Sequence, residues 1–102
     1  MIAVVQRVSE ACVKIDGKIK GEISFGFMVL LGISVLDSEE DVSWIVKKIS
    51  GLRIFSDAEG KLNLDLAQVD GNVLLVTQFS LQASTKKGNR PSFIEAARPE
   101  QA

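Results

Sequence analysis

The sequence of 102 residues contains no histidine, and this absence removes several kinds of catalytic chemistry. Without imidazole there is no triad built on a histidine base, no HExxH metal site and no zinc finger with histidine ligands. The glycines do not form a Walker-type phosphate loop or a GxGxxG fingerprint, so a nucleotide-hydrolysing or Rossmann-type site has no support either. If the chain is an enzyme, we expect it to position and polarise its substrate while another group carries out the proton chemistry.

Cysteine and long apolar runs are also scarce. The single cysteine, Cys12, cannot form a disulfide within the chain, and with no histidine to activate it we interpret it as an ordinary structural thiol. The longest apolar stretch, residues 25–36, is far shorter than the roughly 20 residues that a membrane-spanning helix needs. Because the N-terminus also lacks the layout of a signal peptide, we expect a cytoplasmic protein with no membrane partner.

The net charge is −1, which by itself argues against a nucleic-acid-binding protein, but the charges are unevenly distributed. Residues 71–94 contain Lys86, Lys87 and Arg90 and no acidic residue, so this segment carries +3 and the rest of the chain −4. A basic loop on an acidic body attracts phosphate locally. On charge alone, the alternative of a solvated turn that happens to carry lysines is favoured.

Apolar patterns predict about six strands. Residues 2–8 and 11–16 are strand-like, and Asp16-Gly17 is a turn signal that predicts an antiparallel hairpin with residues 18–23. Residues 27–35 are apolar on both faces, which is typical of a buried central strand, and Gly32 marks a bulge or a close approach of the backbone. Further strands are expected at residues 52–55, 62–66 and 73–81.

The period becomes helical after residue 38. Ser38 and Asp41 resemble a capping box, and Gly51 is placed to end the helix. The apolar positions follow the spacing i, i+3, i+4, i+7: Val42, Ile45, Val46 and Ile49. This pattern predicts an amphipathic helix that covers one face of the sheet.

Two further predictions concern packing and the C-terminal part. We interpret Trp44 and Leu52 as packing residues beside the helical stripe, with a binding role as the alternative. A second helix is expected after Pro91, with Ser92 as its N-cap. The chain is therefore predicted to be a single mixed α/β (α+β) domain over residues 1–102, with mostly antiparallel, barrel-like strands and a helix packed on one face.

The end of the predicted last strand holds the most informative side chains. Thr77, Gln78, Phe79 and Ser80 follow an aliphatic run and precede the basic loop. A hydroxyl nucleophile at Thr77 or Ser80 has no evident base. The alternative is a core strand whose polar end emerges into solvent without a function.

Several segments together resemble one enzyme family: MIAVVQRVSEACVKIDGKIKGEI, VLLGI, LRIFSDAEGKLNLDL, VTQFSL and TKKGNRPSF. Their order and spacing are similar to those of the D-aminoacyl-tRNA deacylases, also called D-tyrosyl-tRNA deacylases, over nearly the whole chain. The resemblance implies the deacylase fold and a homodimer without metal or organic cofactor. It also implies hydrolysis of the ester between a D-amino acid, or glycine misloaded on alanine tRNA, and the 3'-terminal adenosine of tRNA, with no role for DNA.

The resemblance assigns site residues as well. The family signature S-Q-F-T-L falls on residues 77–81, and it implies catalytic positions at Gln78, Phe79 and Ser80. In this family the substrate's own ribose 2'-hydroxyl is thought to act, supported by protein backbone, so the backbone of Ser80 is expected to matter more than its hydroxyl. The residues expected to bind substrate or to hold the binding site are Arg7, Thr77, Leu81, Lys86, Lys87 and Arg90.

Arg7 resembles the family arginine that holds the partner subunit's specificity loop, although a plain surface charge is the alternative. The family continues beyond residue 102 and there carries an N-x-G-P-x-T motif that excludes L-amino acids. We therefore expect a truncated deacylase domain with poor activity and poor chiral discrimination. Two other functions stay open at this point: a noncatalytic RNA-binding module, and a fragment that only dimerises.

Overall fold

The computed structural model describes residues 1–84, 86 and 88–102. Within them, seven strands, one α-helix and one short 3-10 turn follow one another along the chain. In order, they are β1 (Ile2–Val8), β2 (Ala11–Ile15), β3 (Lys18–Ile23), β4 (Gly26–Gly32), α1 (Glu39–Gly51), β5 (Phe55–Ser56), β6 (Leu62–Leu64), β7 (Asn72–Thr77) and the 3-10 turn Phe79–Gln82. The prediction of a mixed α/β fold with mostly antiparallel strands is confirmed.

A three-stranded sheet in the order β1-β4-β7 organises the molecule. β4 pairs antiparallel with β1 and parallel with β7, so the segment between β4 and β7 crosses over the sheet and contains α1, β5 and β6. Phe27 and Val29 on β4 have no exposed surface. The predicted buried central strand is therefore confirmed, and its apolar character on both faces follows from its central place in the sheet.

The core lies on the face of the sheet that the crossover covers. The Phe27 and Phe55 rings stack with centroids 4.9 Å apart, and Phe25 lies 5.1 Å from Phe55 at a tilt. Half-buried residues complete the cluster: Ala3, Val5, Ile49, Ile54, Leu64, Leu66 and Val69. The residues of β5 and β6 thus close one side of the sheet and leave the strand ends accessible.

The hairpin of β2 and β3 packs on the opposite face. Asp16 and Gly17 both have positive φ, 52° and 77°, as a two-residue turn with the right twist requires. Gly21 of β3 lies against the sheet so closely that a Cβ there would meet Leu74 of β7 at 3.0 Å. The predicted hairpin is confirmed, and the strands form three separate sheets within the described residues.

The helix begins as predicted, but it packs more loosely than the apolar stripe suggests. Ser38 donates both its N–H (2.9 Å) and its hydroxyl (3.2 Å) to the Asp41 carboxylate. Ile49 reaches the core, whereas Val42 and Val46 remain exposed. With 13 residues, α1 is too short to cross a bilayer, and the described part of the chain offers no other helix that could do so.

Three predictions of local structure are wrong, wholly or in part. Trp44 is 62% exposed, with the Lys48 amine 5.9 Å from its ring, so it is not a packing residue. No helix follows Pro91, because Ser92 and Ser84 exchange backbone hydrogen bonds of 2.7 Å and hold the chain extended at that point. The predicted strand at residues 73–81 also ends earlier, at Thr77.

Candidate functional site

The site is built where β7 gives way to the 3-10 turn. The Gln78 N–H donates to the Leu31 carbonyl at 2.8 Å and so extends the pairing of β7 with β4 by one residue. The chain then turns, because the Leu81 N–H bonds back to the Gln78 carbonyl at 3.3 Å. Residues Phe79–Gln82 form the turn, which we call the signature turn. The strand alternation therefore does not continue through Phe79 and Ser80.

A cavity of about 560 Å³ opens beside this turn. Its wall has two parts, the ends of β4 and β7 with the start of the turn, and the C-terminal segment. The lining residues are Leu31, Ile33, Thr77, Gln78, Phe79, Phe93, Ala96, Ala97, Pro99 and Ala102. We call this cavity the strand-end pocket. Its described lining is largely aliphatic and aromatic, and it contains no ionisable side chain.

Two aromatic rings meet at the wall of the strand-end pocket. Phe79 and Phe93 pack edge to face, with ring centroids 5.0 Å apart and planes at 70°. Both rings keep much of their surface exposed, so a flat group could stack on them at little cost. Phe79, a catalytic position expected from the sequence, lines the pocket, and its role stays a prediction.

Backbone hydrogen bonds hold the C-terminal segment against the end of β4. The Ala97 N–H donates to the Ile33 carbonyl at 2.7 Å, and the Val35 N–H donates to the Glu95 carbonyl at 2.9 Å. Ser34 and Ala96 form an isolated antiparallel bridge between these two bonds. The far wall of the pocket is thus a short strand-like contact rather than the predicted helix.

The polar side chains of the signature turn bond to one another. The Gln78 side-chain amide donates to the Ser80 hydroxyl at 2.7 Å, and Ser80 does not line the pocket. Thr77 and Gln78 do line it. Leu81 instead turns toward β4, where a Cβ on Gly32 would meet the Leu81 Cβ at 2.7 Å. The predicted close approach at Gly32 is thereby confirmed.

The basic loop starts and ends next to the pocket. Ser84 and Ser92 pair at its base, and Phe93 of the pocket wall comes directly after Ser92. Lys86 and Arg90 are exposed on this loop. Lys87, the third predicted cation, lies outside the described residues.

Arg7 is not brought to the strand-end pocket. Its guanidinium donates to the Ile54 carbonyl at 2.9 Å, and it lines a second cavity of about 450 Å³ with Phe25 and Phe55. Arg7 on β1 pairs with Phe27 of β4, whereas Thr77 on β7 pairs with Leu31 of β4. Phe27 and Leu31 are four residues apart along β4, which is roughly 13 Å at about 3.3 Å per residue. Its predicted contact with a partner subunit stays a prediction.

The carboxylates with shifted pKa lie away from the pocket. The Ser38 backbone N–H lowers the pKa of Asp41 below its ordinary 3.8, and the Lys61 backbone N–H does the same for Asp57. Both groups stabilise local turns, at the start of α1 and between β5 and β6. Neither lines the pocket, so neither is placed to act there as an acid or base.

Sequence reasoning missed one half of the pocket. Phe93, Ala96 and Ala97 were assigned to a helix, and Ile33 to the interior of a strand. The one available signal was Phe93, an aromatic residue immediately after the basic loop. Its contact with Phe79 depends on the pairing of Ser84 with Ser92, which no local sequence pattern predicts.

Comparison with known proteins identifies the family. The model of the D-Tyr-tRNA(Tyr) deacylase family matches residues 4–102. D-aminoacyl-tRNA deacylases of Akkermansia muciniphila and Cytophaga hutchinsonii are 56% and 60% identical over 102 residues, which are all of this chain and 68% of each relative. The chain therefore belongs to the D-Tyr-tRNA(Tyr) deacylase family, a family of hydrolytic enzymes.

A solved structure agrees with this assignment. The c-Myc DNA Unwinding Element Binding Protein superposes with a TM-score of 0.89 and 41% identity, covering 97% of this chain and 66% of that one. The chain thus spans about two thirds of the length of the proteins it matches. The family resemblance seen in the sequence is confirmed, and the noncatalytic alternatives are not favoured.

Proposed function

We propose that this chain contributes the strand-end pocket of a D-aminoacyl-tRNA deacylase. The reaction is hydrolysis: water adds to the ester carbonyl, the bond to the ribose oxygen breaks, and a D-amino acid, or glycine, leaves the 3'-terminal adenosine. The observation that carries the proposal is a pocket beside the family signature whose described lining has no ionisable side chain. Such a pocket suits a reaction in which the substrate's own ribose 2'-hydroxyl supplies the proton chemistry.

The protein's part is to position the ester and to stabilise charge. The first N–H groups of a helical turn have no acceptor within it, so that of Phe79, which lines the pocket, is available to the oxygen that becomes negative as water adds. Gln78 and Thr77 line the same region and are suited to contacts with the ribose or the acyl group. Phe79 and Phe93 offer faces for stacking of the terminal adenine.

The remaining parts of the proposal concern partners and place. Lys86, Lys87 and Arg90 are proposed to contact phosphates of the tRNA end, because their loop leaves the body of the protein beside Phe93. We propose a homodimer in the cytoplasm, where tRNA is charged. The exposed Ile2 and Val4 of the edge strand β1 support an association of protein chains.

The decisive experiment compares two substrates. The chain is incubated with D-aminoacyl-tRNA and with the same tRNA ending in a 2'-deoxyribose acylated at the neighbouring oxygen, each beside a protein-free control. We expect measurable hydrolysis of the first above the spontaneous rate and little acceleration of the second. Equal acceleration of both substrates would reject the role of the ribose hydroxyl, and acceleration of neither would reject the deacylase.

A further inference from the structure

Gln82 stands out among the described residues because it is the one polar residue that is buried, at 9% exposure. It ends the signature turn and does not line the strand-end pocket. Its side-chain amide nitrogen donates to the backbone carbonyl of Gly32 at 3.1 Å, across 50 positions of sequence. A buried amide that spans two elements in this way constrains how they sit relative to each other.

The acceptor sits at a close contact. Gly32 ends β4 and is buried, and its missing side chain is what lets Leu81 lie directly on the strand. The turn is therefore tied to β4 at both ends. The Gln78 backbone N–H bonds to the Leu31 carbonyl at its start, and the Gln82 side chain bonds to the Gly32 carbonyl at its finish.

These attachments lie directly behind the pocket. Leu31 and Ile33 flank Gly32 in sequence and line the pocket, as does Phe79 at the start of the turn. We propose that Gln82 is a positioning residue of the deacylase site, whose side-chain amide fixes the signature turn against Gly32 and so sets the place of Phe79 and Ser80. This inference rests on the proposed function for its effect on catalysis, but its structural part can be tested without activity.

Removing the amide has a defined consequence. A methionine at this position has similar length and no donor, so the Gly32 carbonyl loses a partner in a buried place. The turn then loses its second attachment and moves relative to the pocket. Misplacement of reacting groups by about 1 Å costs on the order of 100-fold in rate. We expect Gln82→Met to lower kcat by 10-fold to 100-fold and to leave KM within about threefold, because the phosphate contacts are made by the separate basic loop.

Two further variants separate positioning from a general loss of folding. Gly32→Ala pushes the turn away from β4 at the Leu81 contact, and we expect the same fall in kcat. In Gln82→Glu, the carboxylate cannot donate but the protonated acid can. The kcat of Gln82→Glu relative to that of the unmodified chain should therefore recover as the pH is lowered from 8 to 5. Gln6→Met, on the exposed face of β1, is the matched control and should behave as the unmodified chain does.

Hydrogen–deuterium exchange provides a readout that needs no catalysis. The N–H groups of Leu81 and Ala83 bond within the signature turn, and we expect them to exchange at least 10-fold faster in Gln82→Met while amides of β4 and β1 keep their protection. Unchanged exchange in the turn would overturn the inference whether or not the chain is a deacylase. If exchange changes but kcat per folded molecule does not, the positioning role is also rejected. An inactive unmodified chain would count against the proposed function alone.

Discussion

At the scale of single residues, side chains form the wall of the strand-end pocket, whereas the proposed chemistry depends on the backbone of the signature turn. Phe79 and Phe93 give the strand-end pocket its aromatic wall, while the hydroxyl of Ser80 is turned to the Gln78 amide. The carbonyl of Gly32 accepts a hydrogen bond from the side chain of Gln82, the one buried polar residue among the described residues. The chemistry proposed here therefore depends more on where the turn places its backbone than on any single reactive side chain.

The hydroxyl of Ser80 gives a direct test of that view. Because it accepts a hydrogen bond from Gln78 and does not line the pocket, we expect Ser80→Ala to keep deacylase activity within about tenfold of the unmodified chain. The measurement is the single-turnover rate with D-aminoacyl-tRNA, with Ser43→Ala on the exposed face of α1 as the control. A loss near a thousandfold, about 4 kcal/mol, would make the hydroxyl the reacting group.

The signature residues could be predicted from the sequence because they are contiguous, and their order alone carries the family resemblance. Phe93 could not, since its place beside Phe79 is set by a backbone contact between Ser84 and Ser92. Trp44 was misjudged for a related reason. An aromatic residue next to an apolar helical stripe usually packs, but here the helix turns it to solvent beside Lys48.

At the scale of elements, strands with strong local signals were placed well. The hairpin has its Asp-Gly turn, and β4 has a continuous apolar run. The end of β7 was not predicted. The Leu81 N–H bonds back to the Gln78 carbonyl instead of continuing the strand, and the apolar pattern of the sequence continues through this turn. The expected helix after Pro91 failed for the same kind of reason, since pairing with Ser34 and Ile33 wins over local propensity.

The start of α1 yields a prediction about pH. The Asp41 carboxylate accepts hydrogen bonds from Ser38, chiefly from its backbone N–H, and this lowers the pKa of Asp41 in the folded state below 3.8. A group with a lowered folded pKa stabilises the fold above its unfolded pKa, and this contribution is lost as the pH falls through the folded value. We expect Asp41→Asn to be less stable than the unmodified chain at pH 7 and equally stable near pH 2.

Urea unfolding followed by circular dichroism at several pH values measures this difference. Glu10→Gln removes an exposed carboxylate outside the helix and serves as the control. A stability difference between the Asp41→Asn variant and the unmodified chain that stays constant from pH 7 to pH 2 would contradict the assignment, because it would not follow the protonation of Asp41.

The whole molecule is less compact than its length suggests. Its radius of gyration is 15.7 Å, compared with about 13 Å for a compact domain of 100 residues. Apolar side chains stay exposed on both edge strands of the central sheet, among them Ile2 and Val4 on β1 and Leu75 on β7. These exposed surfaces are the observation on which the proposed homodimer rests. The sequence gives no direct signal of this, because the residues are ordinary strand formers.

The charge distribution leads to a prediction about tRNA binding. Arg90 lies exposed on the basic loop, and each phosphate contact that is removed lowers the salt dependence of binding by about 0.7 to 0.9 in a plot of log affinity against log salt. We expect Arg90→Ala to weaken binding of tRNA and to reduce that slope by one such step. Lys20→Ala, an equal charge change on the exposed hairpin, is the control and should leave the slope unchanged. If both variants behave alike, the loop is not the binding path.

The parallel pairing of β4 with β7 also has a consequence for the order of events in folding. β1 and β4 are separated by one hairpin, so they can associate early. Pairing of β4 with β7, which begins at Gly26 and Asn72, requires closure of the loop that contains α1, β5 and β6. Closing so long a loop is slow compared with forming local contacts. The strand-end pocket should therefore be among the last features to assemble when the denatured chain is returned to native conditions.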